Sequence, residues 1–219
     1  MNILLLFIEL IILFLVIYYS YKKNKYEGLY MLLIILTLLV GIFSNKEIMI
    51  FNLNINYSFI ISSIIILITK ILIQKKGPEE IKNILLLITF TSIITYILLE
   101  TSSLLQVSNI NKKLSVSYNE VFNLNSRTYL SAVASLILSA YLTSVVYHNI
   151  RIIKNKIWLS NTLTSIILEL IDSTIFCLIS YLFKIPFINL IELIVIRYIL
   201  KLIISLLGTS LIYSVNEID

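Results

Sequence analysis

The chain has 219 residues, of which 59% are hydrophobic and 13% charged, with a mean hydropathy of +0.99 and a formal net charge of +5. That balance lies far from soluble domains and points to an integral membrane protein. Four glycines and two prolines leave no material for a glycine-rich phosphate loop, which excludes a nucleotide-hydrolysing motor within the chain.

A helix needs about 20 apolar residues to cross the hydrocarbon core. Seven runs of that kind occur, at about Ile3 to Tyr19, Leu29 to Phe43, Tyr57 to Ile73, Ile84 to Leu99, Tyr129 to Val146, Leu163 to Leu182 and Phe187 to Tyr213. The predicted fold is therefore all-α, a polytopic transmembrane bundle of about seven helices forming one membrane domain over residues 1–219. The first run lacks a basic leader and a small-residue cleavage site, so it reads as a retained helix. An odd number of crossings puts the two ends on opposite sides.

Basic residues set the orientation, because Lys and Arg accumulate on the cytoplasmic side. Alternate loops hold Lys22, Lys23 and Lys25, then Lys75, Lys76 and Lys82, then Arg151, Lys154 and Lys156. The opposite loops hold the sparser Lys46, Lys112, Lys113, Arg127 and Lys184. This places the N-terminus outside and Asp219 inside, in a plasma or inner membrane. The positive charge then faces anionic lipid, with no nucleic-acid partner implied.

The polar stretch from Glu100 to Asn125, containing Tyr118-Asn119-Glu120, is expected to be an outer loop with a short interfacial helix, acting as connector or lid. Glu79-Glu80 follow Gly77-Pro78 at a helix start, where acidic side chains suit the helix dipole. Cys177 and His148 are the sole residues of their kinds, so neither an intrachain disulfide nor a His/Cys metal site is available, and no cofactor is indicated. No Ser/His, paired-Asp or metal constellation points to an enzyme.

Ionisable side chains within apolar runs are costly and mark protein interiors, partners or solute sites. Glu9, Lys70 and Glu192 lie near enough to helix ends to reach the interface by snorkelling. Glu169, Asp172 and Phe176 share one face of the sixth run, and Arg197 and Lys201 sit at i and i+4 of the seventh. The simplest packing sets the two carboxylates against the two cations. Such a cluster either fixes helix register or lines a midplane cavity for a polar solute.

The segment Trp158-Leu159-Ser160-Asn161, followed by Glu169, Asp172-Ser173 and Phe176, resembles the Trp-Leu-Arg-Asn and Gln-x-x-Asp-Ser-x-x-Phe signature of the queuosine precursor transporters, also called the vitamin uptake transporter family. Glu27-Gly28-Leu29-Tyr30, Lys46, Gly77, Glu80, Tyr147-His148, Lys201 and Tyr213 extend the resemblance nearly end to end. Several polar positions differ. Lys70 and Gln74 stand where the family has Asp and Glu, Ser139, Ala140 and Thr143 replace Ser-Gln-x-x-Asp, Ser160 replaces the Arg, Glu169 the Gln, and Gly208-Thr209-Ser210 an Asp-Thr-Pro.

The resemblance implies import of a small, flat, polar solute, a 7-deazaguanine-type precursor used in tRNA modification. A carboxylate can meet the adjacent N–H donors of such a base, and an aromatic ring can stack on its face. On that basis Glu169 and Asp172 would accept from the solute, Asn161 would be a polar contact, Phe176 or Trp158 would stack, and Arg197 and Lys201 would be the charge partners. Trp158 and His148 also have plainer readings, as an interfacial belt residue and a solvated loop-end residue. A different class of function is a non-transporting, solute-binding membrane subunit that needs an energy-coupling partner. Association with such a subunit or with a second copy stays open.

Overall fold

A computed structural model of the chain describes residues 2–50, 53–106, 113–117 and 126–218. All seven apolar runs are helical. They form α1 (Asn2–Phe43), α2 (Ser58–Lys76), α3 (Ile81–Leu104), α4 (Ser126–Lys154), α5 (Ile157–Tyr181) and α6 (Phe187–Asn216), with a 3-10 turn at Pro78–Glu80. Five of these helices are long and apolar enough to cross a bilayer. Large apolar side chains such as Phe7, Leu86, Phe90 and Ile167 stand exposed on the outer faces, as expected where lipid is the solvent.

The first two runs share α1, which is not straight. Lys25 has non-helical backbone angles (φ 46°, ψ −126°), and the chain reverses there. A Cβ built on Gly28 would lie 2.6 Å from the carbonyl oxygen of Ser20. In an uninterrupted helix, residues eight apart are separated by about 12 Å along the axis. The arms 2–24 and 26–43 thus pack back to back, and only a residue without a side chain fits at Gly28. At the far end of the arms, the Asn2 amide donates to the Met49 carbonyl at 3.0 Å.

Between α1 and α2, where the sequence suggested a plain loop, a short antiparallel hairpin forms from β1 (Glu47–Ile50) and β2 (Leu53–Asn56). Ile48 pairs with Ile55 and Ile50 with Leu53, and the Tyr57 N–H closes the pair on the Lys46 carbonyl at 2.7 Å. Ile50 and Ile55 are buried, so the hairpin caps this end of the bundle. The Tyr181 hydroxyl reaches Glu47 at 3.2 Å, and Arg127 donates to the Leu182 carbonyl at 2.7 Å. These contacts join the ends of α4 and α5 to the hairpin end.

At the opposite, basic end lie Lys25, Lys75, Lys76 and Arg151, and Gln74 donates to Asn216 at 3.1 Å. The chain's first and last described residues therefore sit at opposite ends. Glu80 stands at the N-cap of α3, as the acidic pair at a helix start suggested, and its carboxylate bonds neighbouring side chains in place of the helix N–H groups. It accepts from the Tyr30 hydroxyl and, at 2.8 Å, from Asn83, and pairs with Lys76 at 3.6 Å. Of the polar stretch 100–125, the start completes α3 and residues 113–117 form a helical turn. Tyr118, Asn119, Glu120 and the rest of 107–112 and 118–125 lie outside the described residues.

Helix α2 is the axle of the bundle. Every residue from Ser58 to Ile73 is buried, against α1, α4 and α6 above all. Helix α6 comes close at Gly208, where a Cβ would meet the Leu67 side chain at 2.7 Å. Small residues at helix crossings bring backbones together in this way. That approach sets Lys70, one turn beyond Leu67, beside Ser205.

Candidate functional site

Asp172 and Glu169 are the sixteenth and thirteenth residues of the 25 in α5, and Arg197 and Lys201 the eleventh and fifteenth of the 30 in α6. All four are buried near mid-helix. The Lys201 ammonium lies 2.5 Å from Asp172 Oδ2 and 3.2 Å from Glu169 Oε2. Arg197 Nη2 lies 3.6 Å from Asp172 Oδ2, and Ser139 of α4 donates to Asp172 Oδ1 at 3.2 Å. The carboxylates of one helix do face the cations of the next. Phe176 is buried under the guanidinium of Arg197, whose carbon sits 3.8 Å from the ring centre, a cation–π contact.

Lys70 departs from the sequence reading. It does not snorkel to an interface but is wholly buried, donating to Asn161 Oδ1 at 2.8 Å, Ser165 Oγ at 2.8 Å and Ser205 Oγ at 3.0 Å. A lysine snorkels only where its helix meets lipid or headgroups, and α2 is enclosed by its neighbours at this depth. Three acceptors match the three ammonium protons. Asn161 completes the layer by donating to the Ser205 carbonyl at 2.8 Å and to Thr209 Oγ1 at 2.7 Å.

Of the other two charges read as peripheral, Glu192 is exposed and Glu9 accepts from the Tyr57 hydroxyl near the hairpin end. Trp158 is half exposed and faces outward, the placement of a belt residue and not of a stacking platform. His148 lines a polar cavity of ≈ 420 Å³ at the basic end, together with Gln74, Tyr147, Arg151, Asn155 and Asn216. Tyr147 donates to Gln74 at 2.5 Å, so a hydrogen-bonded layer closes that cavity toward Lys70, one turn deeper on α2.

Together these groups make a polar column along α2, α4, α5 and α6. It runs from the Gln74–Tyr147 layer through Lys70 and Asn161 to the Glu169, Asp172, Lys201 and Arg197 cluster, and ends at Phe176 beneath the hairpin. From Asn161 to Phe176 it extends about 22 Å, fifteen residues of helical rise. The column thus runs through an otherwise apolar core, and large apolar side chains cover the outer faces as well. Ser165 and Ser205 were not singled out in the sequence, and Ser139, Thr209 and Tyr147 entered only through the family resemblance. One signal was present: Thr128, Ser131, Ser135, Ser139, Thr143 and Tyr147 recur at three- and four-residue intervals, and all are buried on one face of α4.

Discrete charges buried at mid-helix in an apolar bundle are the kind of feature that marks solute sites in carriers. The family model described as "Putative vitamin uptake transporter" matches residues 56–215. The chain belongs to the vitamin uptake transporter family. The match takes in α2 to α6 and so every member of the polar column, whereas Glu27 to Tyr30 and Lys46 lie outside it. No curated protein and no solved structure matches the chain. Membership makes this a multi-pass membrane protein of a transporter family, with a small-molecule solute as its natural cargo.

Proposed function

We propose that the protein imports a small, flat, polar solute, a queuosine precursor of the 7-deazaguanine type, through a midplane site on α5 and α6, without chemical change to the cargo. The observation that carries this reading is the buried cluster of Glu169, Asp172, Arg197 and Lys201 beside Phe176. Glu169 Oε1 has no hydrogen-bond partner among the described residues, and a buried carboxylate oxygen left unmatched is an acceptor for a ligand N–H. Glu169 and Asp172 meet the donor edge of the base, Phe176 with the guanidinium over it supplies a flat border, Asn161 is a polar contact, and Lys201 holds the two carboxylates in register.

Uptake of labelled 7-deazaguanine bases into a transport-deficient host tests this reading. The wild-type chain is expected to accumulate label, and Glu169→Gln to reduce accumulation at least about tenfold, the cost of a lost charge-assisted hydrogen bond. Accumulation of no base by protein shown to reside in the membrane would overturn the cargo. Accumulation only alongside a separate energy-coupling subunit would instead make the chain a solute-binding component.

The basic end faces the cytoplasm in this reading, because three clusters of Lys and Arg gather there. The ≈ 420 Å³ cavity then opens inward and the hairpin covers the outer side. A cysteine at Ser214, which is half-buried near the basic end, is expected to be labelled by an impermeant maleimide only in opened cells. Labelling from outside intact cells would invert the topology.

A further inference from the structure

Among the described residues, five charged side chains are buried: Lys70, Arg197 and Lys201, against Glu169 and Asp172. Three cations therefore share two carboxylates in a region that solvates charge poorly. Lys70 has no ion pair among the described residues, but its three protons each have a neutral acceptor at 2.8 to 3.0 Å. Lys201 lies close to both carboxylates.

Arg197 is the unsatisfied member. It is 2% exposed, yet its nearest carboxylate oxygen is 3.6 Å away, and its Nε and Nη1 have no hydrogen-bond partner among the described residues. Buried N–H groups of a cation are seldom left unmatched, because the lost hydration is not recovered. One face of the guanidinium is covered by Phe176. Arg197 also borders a small cavity under the hairpin, lined by Asn54, Ile55, Asn56, Phe176, Cys177 and Tyr181. Its volume is ≈ 10 Å³, about the space of one water, so a larger group fits only if β2 moves away from α5 and α6.

We infer that the cargo carries an anionic group, a carboxylate, which docks on Arg197 beneath the hairpin; this deepens the reading of the cargo as a deazapurine-type base. A carboxylate accepts from the unpaired guanidinium donors and brings the buried charge to zero. A neutral cargo leaves the surplus in place, and a cationic one adds to it. Seated this way, the flat ring lies toward Phe176 while its donor edge reaches Glu169.

Binding to the purified full-length chain, by thermal shift and competition, tests the inference. The probes are 7-deazaguanines bearing a carboxylate, a nitrile or an aminomethyl group at C7, and benzoate as an aromatic carboxylate without a base edge. The carboxylate base is expected to bind at least about tenfold tighter than the nitrile base. Arg197→Gln lowers affinity for the carboxylate base at least about tenfold more than for the nitrile base and so closes that gap, and Arg197→Lys keeps part of it. Equal or weaker binding of the carboxylate base, or an Arg197→Gln loss shared by all three bases, overturns the inference. Where Arg197→Gln does not fold, as judged by gel filtration, the wild-type ranking decides alone. Benzoate bound through Arg197 while all bases are ignored would end the deazapurine reading and keep this one. Bases bound without regard to charge would do the opposite, and binding of no probe would end both.

Discussion

Asp172→Ala is expected to abolish uptake and to destabilise the folded protein by about 3–5 kcal/mol, the usual cost of stripping one partner from a buried ion pair. Asp172 is the shared anchor of the cluster, with Lys201 at 2.5 Å, Arg197 at 3.6 Å and the Ser139 hydroxyl at 3.2 Å. Its removal leaves three buried cations facing Glu169 alone. Adding Arg197→Met to Asp172→Ala restores the wild-type charge difference and leaves Lys201 paired with Glu169 at 3.2 Å, so at least half of the lost stability should return while transport stays absent. Thermal melting in detergent and uptake in whole cells separate the two effects. Unchanged melting in the single variant would mean that these ion pairs contribute nothing to the fold.

Lys70→Met should behave in the opposite way, losing at least about tenfold in uptake while stability stays within about 1 kcal/mol of the wild type. Methionine fills a similar volume and removes a charge that is expensive to bury. The two hydroxyls left behind can satisfy one another, because Ser165 Oγ already lies 2.6 Å from Ser205 Oγ and bonds the Asn161 carbonyl at 2.6 Å, so only Asn161 Oδ1 loses a donor. An unsatisfied pair of hydroxyls, which would otherwise cost stability, is thereby avoided. Transport falls because the ammonium and its three partners make up one full layer of the column between the basic-end cavity and the acidic pair. Full uptake with Lys70→Met would take that layer out of the transport route, and collapse of the fold would make Lys70 a structural group.

The contrast between Asp172 and Lys70 shows which properties of a membrane bundle are local. Helical runs are legible because length and hydropathy are summed along the chain, and all seven appear as helix. The i, i+3 and i, i+4 spacing of Glu169, Asp172, Arg197 and Lys201 was likewise enough to place each pair on one face. The reversal at Lys25 falls in the basic segment expected between the first two runs, although helix continues on both sides of it. The hairpin escaped notice, because its strands are four residues each, too short for a periodic signal.

By itself, the sequence determined that this is an all-α, multi-pass membrane protein of the vitamin uptake transporter type, with charged pairs on its last two helices. Those conclusions depend on composition, on run length and on the residues around Asn161 and Asp172. Tertiary structure decided which polar groups are buried together. Lys70 stands thirteenth among the 19 residues of α2, and nothing along that helix says whether it reaches lipid headgroups or the interior. The answer comes from the close approach of α6 at Gly208 and from the enclosure of α2 by its neighbours, which leave the ammonium no route to the interface and supply Asn161, Ser165 and Ser205 in its place. Depth in a bundle belongs to the packing of several helices at once, and a linear pattern read one helix at a time cannot contain it.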